Sequence, residues 1–248
     1  MELHMCSHGS ASMQRKPRKD AQETQQRLLA AAAEVFAERG FWEATHAEIC
    51  EKAKANIAAM NYHFGSKEQL YVEAWRHAFE RAVASHPPDG GVRPDAPLTE
   101  RLHGRILAFM ERMGDPANRA IEMMHKEMAT PTGLLGEAMH AAIEPMRRDS
   151  QAIVRGLLGE TASEEQVCLC EMSIFSQCFG PMLHARRSGK AHGAPAPRGP
   201  MSHMAVEELA EHITRFSLAG IRGIRAEARR RNPGGRTRHS GKLLAHQG

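Results

Sequence analysis

The chain has 248 residues, 33 Lys and Arg against 29 Asp and Glu, a net charge of +4, 42% hydrophobic residues and 5% aromatics. The hydrophobic share supplies a core and excludes wholesale disorder, and at about 100–200 residues per domain the length fits one large domain or two small ones. No apolar run approaches the ~18 residues of a membrane span, residues 1–12 lack a signal-peptide core, and 5 cysteines without a regular framework suit a reducing compartment, so the expectation is a cytoplasmic chain with no membrane partner.

Arg15, Lys16, Arg18 and Lys19 make residues 1–20 a basic flexible arm, able to follow phosphates by releasing counterions. Residues 24–39 then read as a helix with Leu29, Ala32, Ala33 and Phe36 on one face. Gly40 is its C-terminal cap, and Phe41 and Trp42 are expected to fold back onto the core. Thr45 and Glu48 have capping-box spacing and open a short helix over 47–53 with Ile49 and Ala53 inward. Lys54-Ala55 is a tight turn, and Asn56 caps a third helix.

In that helix Ile57, Met60 and Phe64 share an inward face. At ~100° per residue Ala58, Ala59 and Tyr62 point the other way, with Asn61 and His63 on the flanks. Small residues allow close approach to a surface, and Tyr, His and Asn hydrogen-bond phosphates or base edges. Gly65 ends the helix, and Ser66 to Gln69 repeat the capping pattern. The free N–H groups there, with Lys67, make a phosphate site. Tyr71, Trp75 and Phe79 form the apolar stripe of a fourth helix. Two short helices about a brief turn, the second with a small and polar outer face, form a helix-turn-helix. An ordinary three-helix core with a solvated face fits the same periodicity. Eight of the twelve aromatics precede Ala82, as a small domain with little interior requires.

The AAAEVFAERGFWEAT and NIAAMNYHFGSKEQLY runs resemble the DNA-binding domain of the TetR family of bacterial transcriptional regulators. The N-I-A-A-x-x-Y-x-F-G-S-K form is similar to the CecR-like subgroup, as, more loosely, are IEPMRR at 143–148 and CLCEMSIFSQC at 168–178. Lys54 stands where the family usually has glycine. The resemblance implies that Thr45, or the backbone after it, touches phosphate. Asn56, Ala58 and Ala59 would lie at the mouth of the major groove. Asn61, Tyr62 and His63 would bind phosphates or base edges, and Lys67 would anchor a phosphate.

Residues 85–97, with four prolines and two glycines, and 188–200 read as breaks. Between them the chain is helical throughout. Met110, Met113, Met123, Met124, Met128, Met139 and Met146 serve either as core filler or as an adaptable apolar pocket. His125, Glu127 and His140 are the nearest polar groups for orienting a ligand, and no ligand-binding residue is assigned. Val167, Cys170, Ile174, Phe175, Cys178 and Met182 line one side of the next helix, which Gly180-Pro181 should kink or end. Cys168 and Cys170 point apart on a helix, so the cysteines read as structural, with a thiol sensor as the other reading. Val206, Leu209, Ile213, Phe216, Gly220, Gly223 and Ile224 form the last stripe, and the two final helices suit a homodimer interface. Arg229, Arg230, Arg231, Arg236, Arg238 and Lys242 lead into a basic tail over 232–248.

The expected architecture is all-α. A helix-turn-helix DNA-binding domain spans 21–81, with its motif at about 45–64, and a helical ligand-binding and dimerisation domain spans 82–231. The expected function is a dimeric, ligand-responsive repressor of a double-stranded DNA operator, with an unidentified small-molecule effector, no cofactor, no metal and no enzymatic activity. An activator, or a helix-turn-helix that binds protein, are the alternatives.

Overall fold

Ala, Glu, Gln, Leu and Arg dominate the chain between its Pro/Gly breaks, and these are the residues that lose least on entering a helix. The computed structural model describes residues 16–190 and 204–231, with side chains described for 19–181, 204–228 and 230. Among these, all regular structure is helical: α1 (Lys16–Arg39), α2 (His46–Ala53), α3 (Ile57–Phe64), α4 (Lys67–Ser85), α5 (Leu98–Gly114), α6 (Arg119–Ala129), α7 (Gly136–Leu158), α8 (Glu164–Lys190) and α9 (Val206–Arg231). Arg15, most of the 188–200 break, the side chain of Met182 and the 232–248 tail lie outside what is described.

Two compact units divide the chain, residues 1–84 with 116–142, and residues 85–115 with 143–248. The division differs from the sequential boundary at 81/82. The α6 face carrying Ala120 and Met123, with Leu135 and Ala138, joins the same core as Leu28, Phe36, Ile49, Met60, Tyr71 and Trp75. In this first unit α1 packs on α2 and α3 and also on α6. That is why Leu28, Ala31, Val35 and Ala37 are buried as well as the expected Leu29, Ala32, Ala33 and Phe36. The helix α1 starts at Lys16 rather than Thr24. None of residues 19–27 is buried, so there is no stripe for periodicity to detect; proline at position 17 falls in the first turn, where it is tolerated, and Lys19 pairs with Glu23 at 3.9 Å. The N-terminal basic residues from Lys16 onward are therefore helical, not arm.

Phe36 packs edge-on against Tyr71 at 4.8 Å, fastening α4 to α1, and within α4 Trp75 stacks on Phe79 at 5.0 Å. The Tyr71 hydroxyl donates to Glu127, whose carboxylate also accepts from the Thr132 and Gly133 N–H groups. Glu127 is thereby committed to closing the α6–α7 loop, not to orienting a ligand. Burial and the Glu127 charge push the Tyr71 hydroxyl far above its ordinary range, so it remains a donor.

In the second unit α5 packs on α8 and α9. Leu102, Ile106 and Met110 on α5 and Val167, Cys170, Ile174 and Cys178 on α8 are all buried. Phe109 lies edge-on to Phe175 and Phe179 at 5.1 and 5.4 Å. Gly104 lets the 86–97 loop lie on α5, since a Cβ there would meet the Asp89 carbonyl at 2.6 Å. The buried Arg105 guanidinium donates to the Met146 carbonyl and to Ser150 and Asp149. The IEPMRR segment is an ion cluster along α7. Glu144 accepts from Arg147 and Arg148, and those bonds lower its carboxyl to about 2.

Of the kink or end expected at Gly180-Pro181, the end does not occur: α8 continues to Lys190 with Pro181 inside it, which costs the bond to the carbonyl one turn back. On α9 one expectation is corrected. Phe216 is 64% exposed and leaves the α9 stripe. Ala210, Thr214 and Ser217 are buried instead, the Thr214 hydroxyl donating to the Ala210 carbonyl and lying 3.2 Å from His103 Nδ1. Small and hydroxylated residues let α9 approach its neighbours closely, and a count of large apolar residues misses them. Cys168 is exposed, whereas Cys170 and Cys178 are buried; burial raises both thiols, Cys178 to about 12, which makes them poor nucleophiles.

Candidate nucleic-acid interface

The interface begins at Thr45. Its hydroxyl accepts from the Glu48 N–H at 3.2 Å, and Glu48 Oε2 accepts from the Thr45 N–H at 3.0 Å, closing the expected capping box. The Thr45 hydroxyl also faces Glu48 Oε2 at 2.9 Å, so its proton is committed to the carboxylate. The donors left for a phosphate are the first-turn N–H groups of His46 and Ala47, which no intrahelical carbonyl reaches. Glu48 is held below the ordinary carboxylate range by the Thr45 backbone bond, then by the Thr45 hydroxyl and by Arg39, 3.6 Å away.

After α2 the chain turns through Lys54, with φ +50° and its N–H reaching the Cys50 and Glu51 carbonyls. This is the left-handed conformation that the family's usual glycine adopts without strain; Lys54 is the described non-glycine residue found there. Asn56 then caps α3, its Oδ1 accepting from the Ala59 N–H at 2.7 Å, a cap worth ~1 kcal/mol.

Met60 and Phe64 are 2% and 3% exposed, and burying each stabilises the bundle by about 1.5–3 kcal/mol. Cys50 Sγ meets Met60 Sδ at 3.9 Å, joining α2 to α3. Tyr62 lies diametrically opposite and is 84% exposed. Asn56, Ala58 and Asn61 are exposed, and Ala59 and His63 half-buried, the His63 ring 5.2 Å from that of Tyr62. Ile57 departs from expectation, being 49% exposed. Its angle matches the inward stripe, but as the first residue of α3 it lies beyond the end of the packed layer. An exposed Ile57 adds an apolar edge beside Asn56 and Ala58 that the sequence pattern hid.

Gly65, with φ +71°, ends α3. Ser66 Oγ accepts from the Gln69 N–H at 3.2 Å. The Ser66 N–H goes back to the Phe64 carbonyl, so only half of the second capping pattern forms. Lys67 opens α4 with its Nζ 4.7 Å from the centroid of the Phe41 ring. Trp42, expected to fold onto the core, is instead 65% exposed. Lys52 on α2 is spent on Glu34 at 2.6 Å and Glu38 at 3.9 Å. Among the described residues no group of His, Cys, Asp or Glu is placed to hold a metal ion, and no helix is long and apolar enough to cross a membrane.

Two family models match the chain. Residues 28–74 match the bacterial regulatory proteins of the TetR family, and residues 98–221 match the C-terminal domain of the HTH-type transcriptional dual regulator CecR. CecR of Shigella flexneri is 47% identical over 162 residues, 60% of this chain and 70% of CecR. The chain belongs to the TetR family. It is a CecR-like, DNA-binding transcriptional regulator, and its relatives are regulators, not enzymes. SrpR of Pseudomonas putida is 27% identical over 130 residues, 51% of this chain and 57% of SrpR, so the match spans little more than half of that relative. A TetR-like regulator from Rhodococcus sp. RHA1 has the same fold, with a TM-score of 0.59 over 81% of this chain and 96% of its own at 17% identity. TetR-family regulators bind DNA operators, typically as dimers. Of the motif residues named from sequence, Asn56, Ala58, Asn61 and Tyr62 are exposed and Ala59 and His63 half-buried, while Thr45 and Lys67 stand at the openings of α2 and α4.

Proposed function

We propose that the protein is a cytoplasmic, ligand-responsive repressor that binds a near-palindromic operator as a homodimer. The observation that carries this reading is Tyr62, exposed directly opposite the buried Met60–Phe64 face, with Asn56, Ala58 and Asn61 on the same outward side. Asn56, Ala58 and Ala59 stand at the mouth of the major groove, and exposed Ile57 suits a thymine methyl. Asn61, Tyr62 and His63 reach phosphates or base edges. Lys67 and the first-turn N–H groups after Thr45 hold backbone phosphates.

The homodimer forms through α8 and α9, where Leu169, Met172, Phe179 and Phe216 are exposed apolar side chains. Half-sites about 34–36 Å apart, one helical turn, suit such a dimer. The effector is a small molecule held by the helical C-terminal body. It must bind the operator-competent and operator-free states with different affinity, or no equilibrium moves.

In a gel-shift titration against a duplex enriched from a random pool by the wild-type protein, Tyr62→Ala and Lys67→Ala each weaken binding about tenfold, with urea unfolding unchanged. Parental affinity in both variants overturns this interface. A duplex affinity insensitive to salt would favour a protein-binding helix-turn-helix instead. CecR's name as a dual regulator favours a second reading, in which some promoters are activated. Reporter expression that falls when the gene is deleted would identify those promoters.

A further inference from the structure

The chain has two tryptophans, and they sit in opposite environments: Trp75 is 1% exposed and Trp42 65%. A single exposed apolar residue is ordinary, but the surroundings of Trp42 are not. Its indole meets Phe41 edge to face, with centroids 5.2 Å apart and planes at 81°. Phe41 is itself immobile, 8% exposed and packed against Phe36 and Tyr71 at 6.3 and 5.2 Å. The same Phe41 ring carries the Lys67 ammonium 4.7 Å from its centroid. One buried ring thus holds an exposed indole and the cation at the opening of α4, and neither needs further ordering to meet a ligand. Beside Trp42 is a hollow of about 150 Å³ whose lining includes Arg39, Glu43 and Lys126, giving it an excess of positive charge.

We propose that Trp42 is a second contact to the duplex backbone. Its indole N–H donates to a phosphate oxygen of the strand that Lys67 neutralises, and its ring lies against the adjoining sugar. The proposal rests on the reading of α3 and α4 as the duplex-facing side. An indole brings a donor without a charge, so it positions the strand and adds nothing to counterion release.

The duplex enriched from a random pool serves as the probe. Trp42→Phe keeps an aromatic ring against Phe41 and removes only the N–H. It should weaken binding about tenfold or more, as expected for one lost hydrogen bond to a charged oxygen. The slope of log K against log salt should stay at the parental value, whereas Lys67→Ala reduces it by about one. Because Trp75 is buried, acrylamide quenching of the parent's fluorescence reports on Trp42, and saturating duplex should suppress it. Parental affinity in Trp42→Phe overturns the proposal, and so does an indole that stays quenchable at saturation. If Tyr62→Ala and Lys67→Ala still bind weakly in that case, the reading of α3 and α4 stands without Trp42. If they too bind like the parent, that reading falls and the proposal with it.

Discussion

Glu48 places a negative charge at the opening of a helix proposed to meet phosphate, and the capping box explains what the carboxylate does there. Its carboxylate takes both the Thr45 N–H and the Thr45 hydroxyl, and Arg39 offsets the charge. The folded state lowers the Glu48 carboxyl from 4.5, so below that value the unfolded chain binds the proton more readily. The contribution of Glu48 to stability is complete above pH 4.5 and is lost as pH falls through the lowered folded value. Glu48→Gln should therefore unfold at lower urea than the parent at neutral pH. The two midpoints should converge as pH falls from 4.5 through the lowered folded value, where the carboxyl is protonated in both states. A gap of constant size across that range would show that the charged form is not what the box uses. The same geometry limits Thr45. A hydroxyl whose proton is committed to Glu48 reaches phosphate poorly, which favours the backbone after it for the proposed contact.

At the scale of the element, the turn between α2 and α3 carries a measurable cost. An L-residue in the left-handed region is disfavoured by about 1–2 kcal/mol, and Lys54 sits there at φ +50°. Glycine removes that strain but gains freedom in the unfolded chain worth about 0.4–1 kcal/mol. Lys54→Gly is accordingly expected to stabilise the protein by about 0.5–1 kcal/mol in urea unfolding. The turn's own bonds are backbone N–H to the Cys50 and Glu51 carbonyls and survive the change. A destabilised variant would mean that the Lys54 side chain contributes more than the strain it imposes. The caps and the Met60–Phe64 stripe were legible from sequence because they depend on neighbours three or four residues away. Ile57 and Trp42 were not, because exposure at a helix end or in a loop depends on where the packed layer stops. Phe216 was misplaced for a related reason: Ala210, Thr214 and Ser217 bury through close approach, which hydrophobicity does not signal. The N-terminal turns of α1 escaped notice because a solvated helix has no apolar period.

For the whole molecule, the chain passes between its two units after Ala84, after Asp115 and after Ala142, so residues 116–142 belong with the first unit although they lie within the C-terminal stretch of sequence. No local pattern encodes that return, since it follows from the α6 face matching α1. The proposed homodimer draws on what lies on the outside of the second unit. Helix α8 has two apolar faces, one buried through Val167, Cys170, Ile174 and Cys178, the other exposed through Leu169, Met172 and Phe179. Phe216 stands exposed on α9, with Gly220 and Gly223 open further along. A second copy of the chain would cover these side chains. Met172→Glu combined with Phe216→Glu should convert a dimer to a monomer in sedimentation velocity without loss of helix content. The monomer engages one half-site at a time, so affinity for a two-half-site duplex should fall by about 10²-fold or more, while binding to an isolated half-site stays at the parental level. A variant that remains dimeric would move the interface elsewhere on the second unit. Equal losses on both duplexes would show that the substitutions had reached the recognition helices rather than the pairing of two copies.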